Sequence, residues 1–230
     1  MNRTIALLVL GCLVIPVFAA DAGMSTVSER YSYAMGVRFG ELLKGQGIRQ
    51  LDSRSFAKAI DDVLGGQPLR LSEADMQAAI LGQRQAQAGQ RAQRAQANLA
   101  AGREFLSANA SKAGVVLLPS GLQYRVLDSG SGDQPGPGDS VRVHYHGTLI
   151  DGTVFDSSRD RGQAAEFGLA GVIPGFREAL SHMRVGDRWQ VFMPSTLAYG
   201  EQGAGADIGP NETLIFELQL LDVIHQAGPG

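Results

Sequence analysis

The chain has 230 residues, of which 44% are hydrophobic and 19% charged, a composition that is typical of globular proteins and excludes a disordered chain. Its 20 Lys and Arg against 23 Asp and Glu give a formal net charge of −3, and the basic residues are spread along the chain. This spread argues against a nucleic acid partner, because phosphate binding needs a concentrated basic surface.

The first twenty residues have the pattern of a secretory signal. Arg3 precedes an apolar stretch from Ile5 to Phe18, and small residues follow at Ala19 and Ala20. The stretch has about 14 residues, against the roughly 20 that span a bilayer, which favours a signal over a membrane anchor. We predict a signal peptide over residues 1–20 and a protein of the periplasm, with outer-membrane association or secretion left as alternatives.

Cleavage of that signal would also remove the only cysteine, Cys12, together with Arg3. The mature chain would keep 19 basic and 23 acidic residues, a net charge of −4, and it would contain no disulfide and no thiol nucleophile. Cys12 follows Val9-Leu10-Gly11, which faintly resembles a lipoprotein processing box. Lipidation at Cys12 is therefore an alternative to cleavage after residue 20.

Residues 21–70 predict two short helices. The first covers roughly residues 28–44, and the second begins at Asp52-Ser53 and ends at Gly65-Gly66. Two helices of this length cannot enclose a core, so their apolar stripes need a further surface, which a second copy of the chain would supply. We predict a helical dimerisation domain here. Gly36 and Gly40 either let two helices approach closely or are merely small residues on a crowded helix.

Residues 71–112 predict one long connecting helix. Ser72-Glu73-Ala74-Asp75 is a capping-box pattern, and no proline follows until Pro119. Between Gln83 and Gly102 the only large apolar residue is Leu99, so this part is polar on all faces. Such a helix is typical of a solvated spacer, and low-complexity disorder is the competing interpretation.

Residues 113–230 form a separate predicted domain, because 19 of the 30 glycines and 7 of the 9 prolines lie there. Alternating hydrophobicity predicts strands over residues 122–127, 141–146 and 213–223, and Asp151-Gly152 predicts a hairpin turn. One short helix fits residues 175–183. The fold class is therefore α+β, with an antiparallel sheet wrapped on a short helix.

Five motifs in this region carry a resemblance to a known family. They are Val143-His144-Tyr145-His146-Gly147, Gly152-Thr153-Val154-Phe155-Asp156-Ser157-Ser158, Val172-Ile173-Pro174-Gly175-Phe176, Leu197-Ala198-Tyr199-Gly200 and Gly209-Pro210-Asn211-Glu212-Thr213-Leu214-Ile215-Phe216. In order and spacing the chain resembles the FKBP-type peptidyl-prolyl cis-trans isomerases. The segments at residues 31–36, 105–109 and 118–124 are similar to the Mip-like, secreted bacterial branch of that family.

The resemblance implies a pocket that binds proline. It assigns Tyr145, Phe155, Asp156 and Tyr199 as catalytic residues, and it places substrate or inhibitor contacts at Phe167, Val172, Ile173, Phe176, Ile208 and Phe216. The Ile173 N–H and the Tyr199 hydroxyl would donate hydrogen bonds to substrate carbonyls. The family most often has tryptophan where this chain has Phe176.

The implied reaction is rotation about an X–Pro bond in unfolded or nascent extracytoplasmic proteins, which assists their folding. The barrier of roughly 18–20 kcal/mol comes from amide resonance, so an apolar pocket can favour the twisted state without a nucleophile, metal or cofactor. The resemblance also implies a homodimer and binding of macrolide inhibitors such as rapamycin. The alternative is a non-catalytic chaperone whose pocket only captures unfolded chains.

Overall fold

The computed structural model describes residues 23–48 and 50–225. The predicted signal peptide and Cys12 therefore lie outside the described residues. The chain divides into two compact units between Ser72 and Glu73. Among the described residues, none of the helices combines the length and the apolar composition that crossing a bilayer requires.

The first unit contains the two predicted short helices, α1 over Val27–Gly45 and α2 over Ser53–Leu64. The Thr26 side chain accepts a hydrogen bond from the Glu29 N–H while the Glu29 carboxylate caps Thr26, which is a complete capping box. The Asp52 side chain begins α2 by accepting from the Ser55 N–H. Neither helix has a buried residue, as expected for two helices that cannot enclose a core by themselves.

The second unit begins with the long helix α3 over Glu73–Ala110 and continues into a seven-stranded antiparallel sheet. The strands are β1 Val115–Leu117, β2 Gln123–Asp128, β3 Ser140–Leu149, β4 Val154–Ser157, β5 Ala165–Gly168, β6 Arg188–Met193 and β7 Leu214–Ile224. Their order in the sheet is β1-β2-β6-β7-β3-β4, and β5 pairs with β3. The predicted α+β fold is confirmed, while the short strands β1 and β5 were not predicted from the sequence.

One short helix, α4 over Pro174–His182, packs on this sheet. Phe176, Ala179 and Leu180 are its buried stripe, as their spacing predicted. On β3 the side chains alternate, so Val141, Val143 and every second residue after them are buried. The core therefore lies between α4 and one face of the sheet, and the residues at the edge of this core form the site described below.

The predicted spacer is exposed over residues 83–94, whereas the C-terminal end of α3, from Ala95 onward, packs on the rest of the second unit. Gly102 and Asn109 are buried, and the Asn109 side chain donates a 3.0 Å hydrogen bond to the Gln123 side chain. The Phe105 ring lies 6.0 Å from the Phe192 ring. The covered residues recur at helical spacing and include Leu99, Phe105 and Leu106, so this end of the helix is a packing element.

Alanine substitutions at Gly102 and Gly89 test this packing. A Cβ at Gly102 would lie 2.3 Å from Thr213 Oγ1, whereas a Cβ at Gly89 would meet nothing within 4 Å. Gly102→Ala should lower the free energy of unfolding by about 1–3 kcal/mol through overpacking. Gly89→Ala should raise helix stability by roughly 0.5–1 kcal/mol, as alanine normally does. Urea unfolding of both variants checks the pair, and a stabilised Gly102→Ala protein would contradict the packing.

Candidate active site

A cavity of about 330 Å³ brings together nine of the ten site residues that the sequence predicted. Its lining contains Tyr145, Phe155, Asp156, Phe167, Val172, Ile173, Phe176, Tyr199 and Phe216, with Gly171 between them. These residues come from six parts of the chain: β3, β4, β5, the segment that leads into and begins α4, the loop after β6, and β7. The role of each residue in binding substrate stays a prediction.

The aromatic rings of the cavity form one connected cluster centred on Phe176. The Phe176 ring is edge-on to three others, with centroid distances of 6.1 Å to Tyr145, 5.9 Å to Phe167 and 5.3 Å to Phe216. Phe155 continues the cluster at 5.5 Å from Phe216. Since edge-to-face pairs are favourable, the rings stabilise one another and form a packed apolar wall.

A polar group of three residues lies at one side of this wall. The Tyr145 hydroxyl donates a 2.5 Å hydrogen bond to Asp156 Oδ2, and Arg161 donates to the other oxygen of the same carboxylate. Arg161 also donates a 2.8 Å hydrogen bond to the Tyr145 hydroxyl, and its guanidinium lies over the Tyr145 ring. The carboxylate is thus paired on both oxygens, and its orientation is fixed.

The pKa values in this group are displaced in opposite directions. Burial raises the pKa of Tyr145, and the hydrogen bond to the Asp156 carboxylate raises it further. Burial also opposes ionisation of Asp156, but the hydrogen bonds from Tyr145 and Arg161 outweigh it and hold the pKa of Asp156 below its usual value. At neutral pH Asp156 is therefore an anion and Tyr145 a neutral donor.

Arg161 is a residue that the sequence analysis missed. The available signal was Asp156 itself, because a carboxylate beside an aromatic pocket needs a counter-charge or hydrogen bonds. Arg159 and Arg161 are the nearest cations in the sequence, but spacing does not tell which one pairs with Asp156. In the structure Arg159 pairs with Glu217, which leaves Arg161 for Asp156.

Two hydrogen-bond donors at the cavity have no partner within the described part of the chain. Ile173 precedes α4, and its carbonyl accepts the first helical hydrogen bonds, whereas its N–H donates to none of the described residues. The Tyr199 hydroxyl forms no hydrogen bond with a described residue, and 39% of the Tyr199 surface is exposed. Both donors are available to a bound ligand.

Ile208, the tenth predicted residue, lies at an adjoining cavity of about 240 Å³. Phe155, Asp156 and Tyr199 line both cavities, so the two are continuous at these side chains. Asp207 also lines the smaller one. The predicted site therefore consists of an aromatic pocket and a more polar groove beside it.

His144 and His146 lie on the face of β3 opposite Val143 and Tyr145, and both are half-buried. Each ring nitrogen Nδ1 lies within hydrogen-bond distance of a serine hydroxyl, at 3.1 Å from Ser158 for His144 and at 3.0 Å from Ser157 for His146. These serines come from β4 and the residue after it, so each histidine side chain helps to hold β4 beside β3.

Comparison with known proteins agrees with this geometry. Residues 132–221 match the family model of the FKBP-type peptidyl-prolyl cis-trans isomerases, and residues 28–126 match the model of the domain amino terminal to that isomerase. The chain is 45% identical to "Outer membrane protein MIP" of Legionella longbeachae, in an alignment that covers 89% of this chain and 90% of that one.

Two Escherichia coli proteins extend the comparison. The chain is 44% identical to the FKBP-type 22 kDa peptidyl-prolyl cis-trans isomerase, covering 86% of this chain and 97% of that one. The crystal structure of FkpA superposes with a TM-score of 0.63 at 31% identity, covering 87% of this chain and 98% of that one. The chain therefore belongs to the FKBP-type peptidyl-prolyl cis-trans isomerases, with Mip and FkpA proteins among its relatives.

Proposed function

We propose that the 330 Å³ cavity binds the proline of an unfolded extracytoplasmic protein and accelerates cis-trans rotation about the preceding peptide bond. The observation that carries this proposal is the combination of a packed aromatic wall with two donors beside it that form no hydrogen bond with a described residue. A prolyl ring is apolar, whereas the chain on either side of it has carbonyl acceptors. The cavity matches both parts of such a ligand.

The site favours the transition state through its polarity. A planar amide is stabilised by charge-separated resonance, which is lost when the bond twists, so the twisted amide loses less on leaving water for an apolar wall. The Ile173 N–H and the Tyr199 hydroxyl would hold the flanking carbonyls while the bond rotates. Asp156, fixed by Tyr145 and Arg161, supplies a polar wall of constant orientation.

A direct assay tests these roles. The purified chain should accelerate isomerisation of a short X–Pro peptide, and rapamycin should compete with the peptide. Tyr199→Phe should lower kcat/KM by roughly two- to tenfold, the equivalent of one hydrogen bond. Tyr124→Phe is the matched control, because the Tyr124 ring stacks on Trp189 outside the cavity.

The outcomes separate catalysis from capture. A folded protein that binds rapamycin or unfolded chains but does not accelerate isomerisation would support the non-catalytic chaperone. Equal activity of Tyr199→Phe and the wild-type chain would remove Tyr199 from the proposed site while leaving the enzyme class intact.

We also propose that the chain forms a homodimer through its first unit. Large apolar side chains are exposed on both helices, including Tyr31 at 67%, Val63 at 63% and Leu64 at 82%. Exposed apolar surface of this extent is typical of an interface. For the 230-residue chain, which includes the predicted signal peptide, light scattering should give twice the mass of 24.4 kDa. The mass of a single chain would overturn the proposal.

For location we propose the periplasm. The signal pattern of residues 1–20 supports export, and one relative is named an outer membrane protein. Cell fractionation distinguishes a soluble periplasmic protein from one that is associated with the outer membrane or released.

A further inference from the structure

The Tyr199 loop, residues 199–212, is the part of the site with the least regular secondary structure. It supplies Tyr199 to the aromatic cavity and Ile208 to the adjoining groove. Inside the loop, Ala204 and Ile208 exchange two backbone hydrogen bonds, and the Asn211 N–H donates to the Gly200 carbonyl. Apart from one short 3-10 turn at Gly200–Gln202, the loop itself contains no helix or strand.

The long helix α3 holds the first limb of this loop. Arg91 Nη2 donates hydrogen bonds to two consecutive backbone carbonyls, at 3.0 Å to Glu201 and at 2.7 Å to Gln202. These carbonyls directly follow Tyr199-Gly200 in the sequence. A single guanidinium therefore fixes the backbone two residues after the pocket tyrosine.

The same helix holds the second limb two turns later. Asn98 Nδ2 donates 2.8 Å hydrogen bonds both to the Pro210 carbonyl and to Glu212 Oε1. The Asn211 side chain returns a hydrogen bond to the Ala95 carbonyl of the helix. Since Glu212 is only 8% exposed, this end of the loop is held away from solvent competition.

We propose that Arg91 and Asn98 of α3 are positioning residues for the prolyl site, because they hold both limbs of the Tyr199 loop against the helix. This inference rests on the proposed function of the cavity. Neither residue lines the cavity, so each acts through Tyr199 and Ile208. Without their four hydrogen bonds, the Asn211 side chain and the 3.8 Å Arg94–Glu212 ion pair would still hold the second limb. The first limb would have to become ordered when substrate binds, and that ordering weakens binding.

The proposal predicts a specific kinetic signature. Loop ordering weakens the ground state and the transition state alike, so it raises KM and leaves kcat nearly unchanged. In the full chain, Arg91→Ala with Asn98→Ala should raise KM for an X–Pro peptide and the Kd of rapamycin by roughly tenfold, with kcat within about twofold. Arg103→Ala is the control, because Arg103 is exposed on the same helix and forms no hydrogen bond or ion pair with the described residues of the loop.

A purely structural role would give a different result. Partial unfolding would lower the active fraction, which reduces apparent kcat at constant KM. That pattern, or unchanged KM and rapamycin affinity, would overturn the proposal. If the double variant does not fold, Arg91→Gln is the second test, because it removes the charge at an exposed position. This variant should still raise KM severalfold. Arg91→Lys, which keeps the charge, should restore part of the affinity. An inactive wild-type chain would instead refute the proposed function.

Discussion

Gly147→Ala should lower kcat/KM for X–Pro isomerisation by about ten- to a hundredfold, the equivalent of an overpacking cost of about 1–3 kcal/mol at the site. Gly147 lies on β3 opposite Phe216. A Cβ there would lie 2.6 Å from the Phe155 ring and 2.9 Å from the Phe216 ring. Because both rings are walls of the cavity, the methyl group must displace at least one wall.

The matched control is Gly138→Ala, because a Cβ at Gly138 would meet nothing within 4 Å. That variant should retain wild-type activity. The kcat/KM for peptide isomerisation and the Kd of rapamycin should be measured for both variants. If Gly147→Ala folds and keeps activity within twofold of the wild type, the two rings do not have to hold the positions seen here.

Phe176→Ala should lower the free energy of unfolding of the second unit by about 3–5 kcal/mol. Phe176 is 3% exposed and contacts three aromatic rings, so its removal leaves a void that those rings cannot fill without losing their own contacts. The same change removes the floor of the proposed proline pocket, so isomerase activity should fall together with the free energy of unfolding.

Trp189 gives this measurement a local probe. It is the only tryptophan of the chain, it is 5% exposed, and its ring stacks on Tyr124 at 4.1 Å inside the second unit. Urea unfolding followed by Trp189 fluorescence should show the loss for Phe176→Ala. Phe39→Ala is the control, since Phe39 is 45% exposed in the first unit. A loss below about 1 kcal/mol would contradict tight packing around Phe176.

Much of the fold could be predicted because its signals are local. The period of Phe176, Ala179 and Leu180 predicted α4, and the alternation along β3 predicted which of its side chains are buried. The strands β1 and β5 were missed, since three or four residues are too few for a period and their existence depends on pairing with β2 and β3.

The fold class, the family and the aromatic residues of the cavity could be predicted because periodic patterns and short motifs in the sequence specify them. Only the folded chain shows which cation pairs with Asp156 and that α3 contacts the Tyr199 loop through Arg91 and Asn98. Arg91 and Glu201 are 110 residues apart, and an alanine- and glutamine-rich helix does not specify a partner by its composition. Such contacts form where the side-chain donors of the helix meet backbone carbonyls that have no other partner. They exist only once the sheet and the helix have formed.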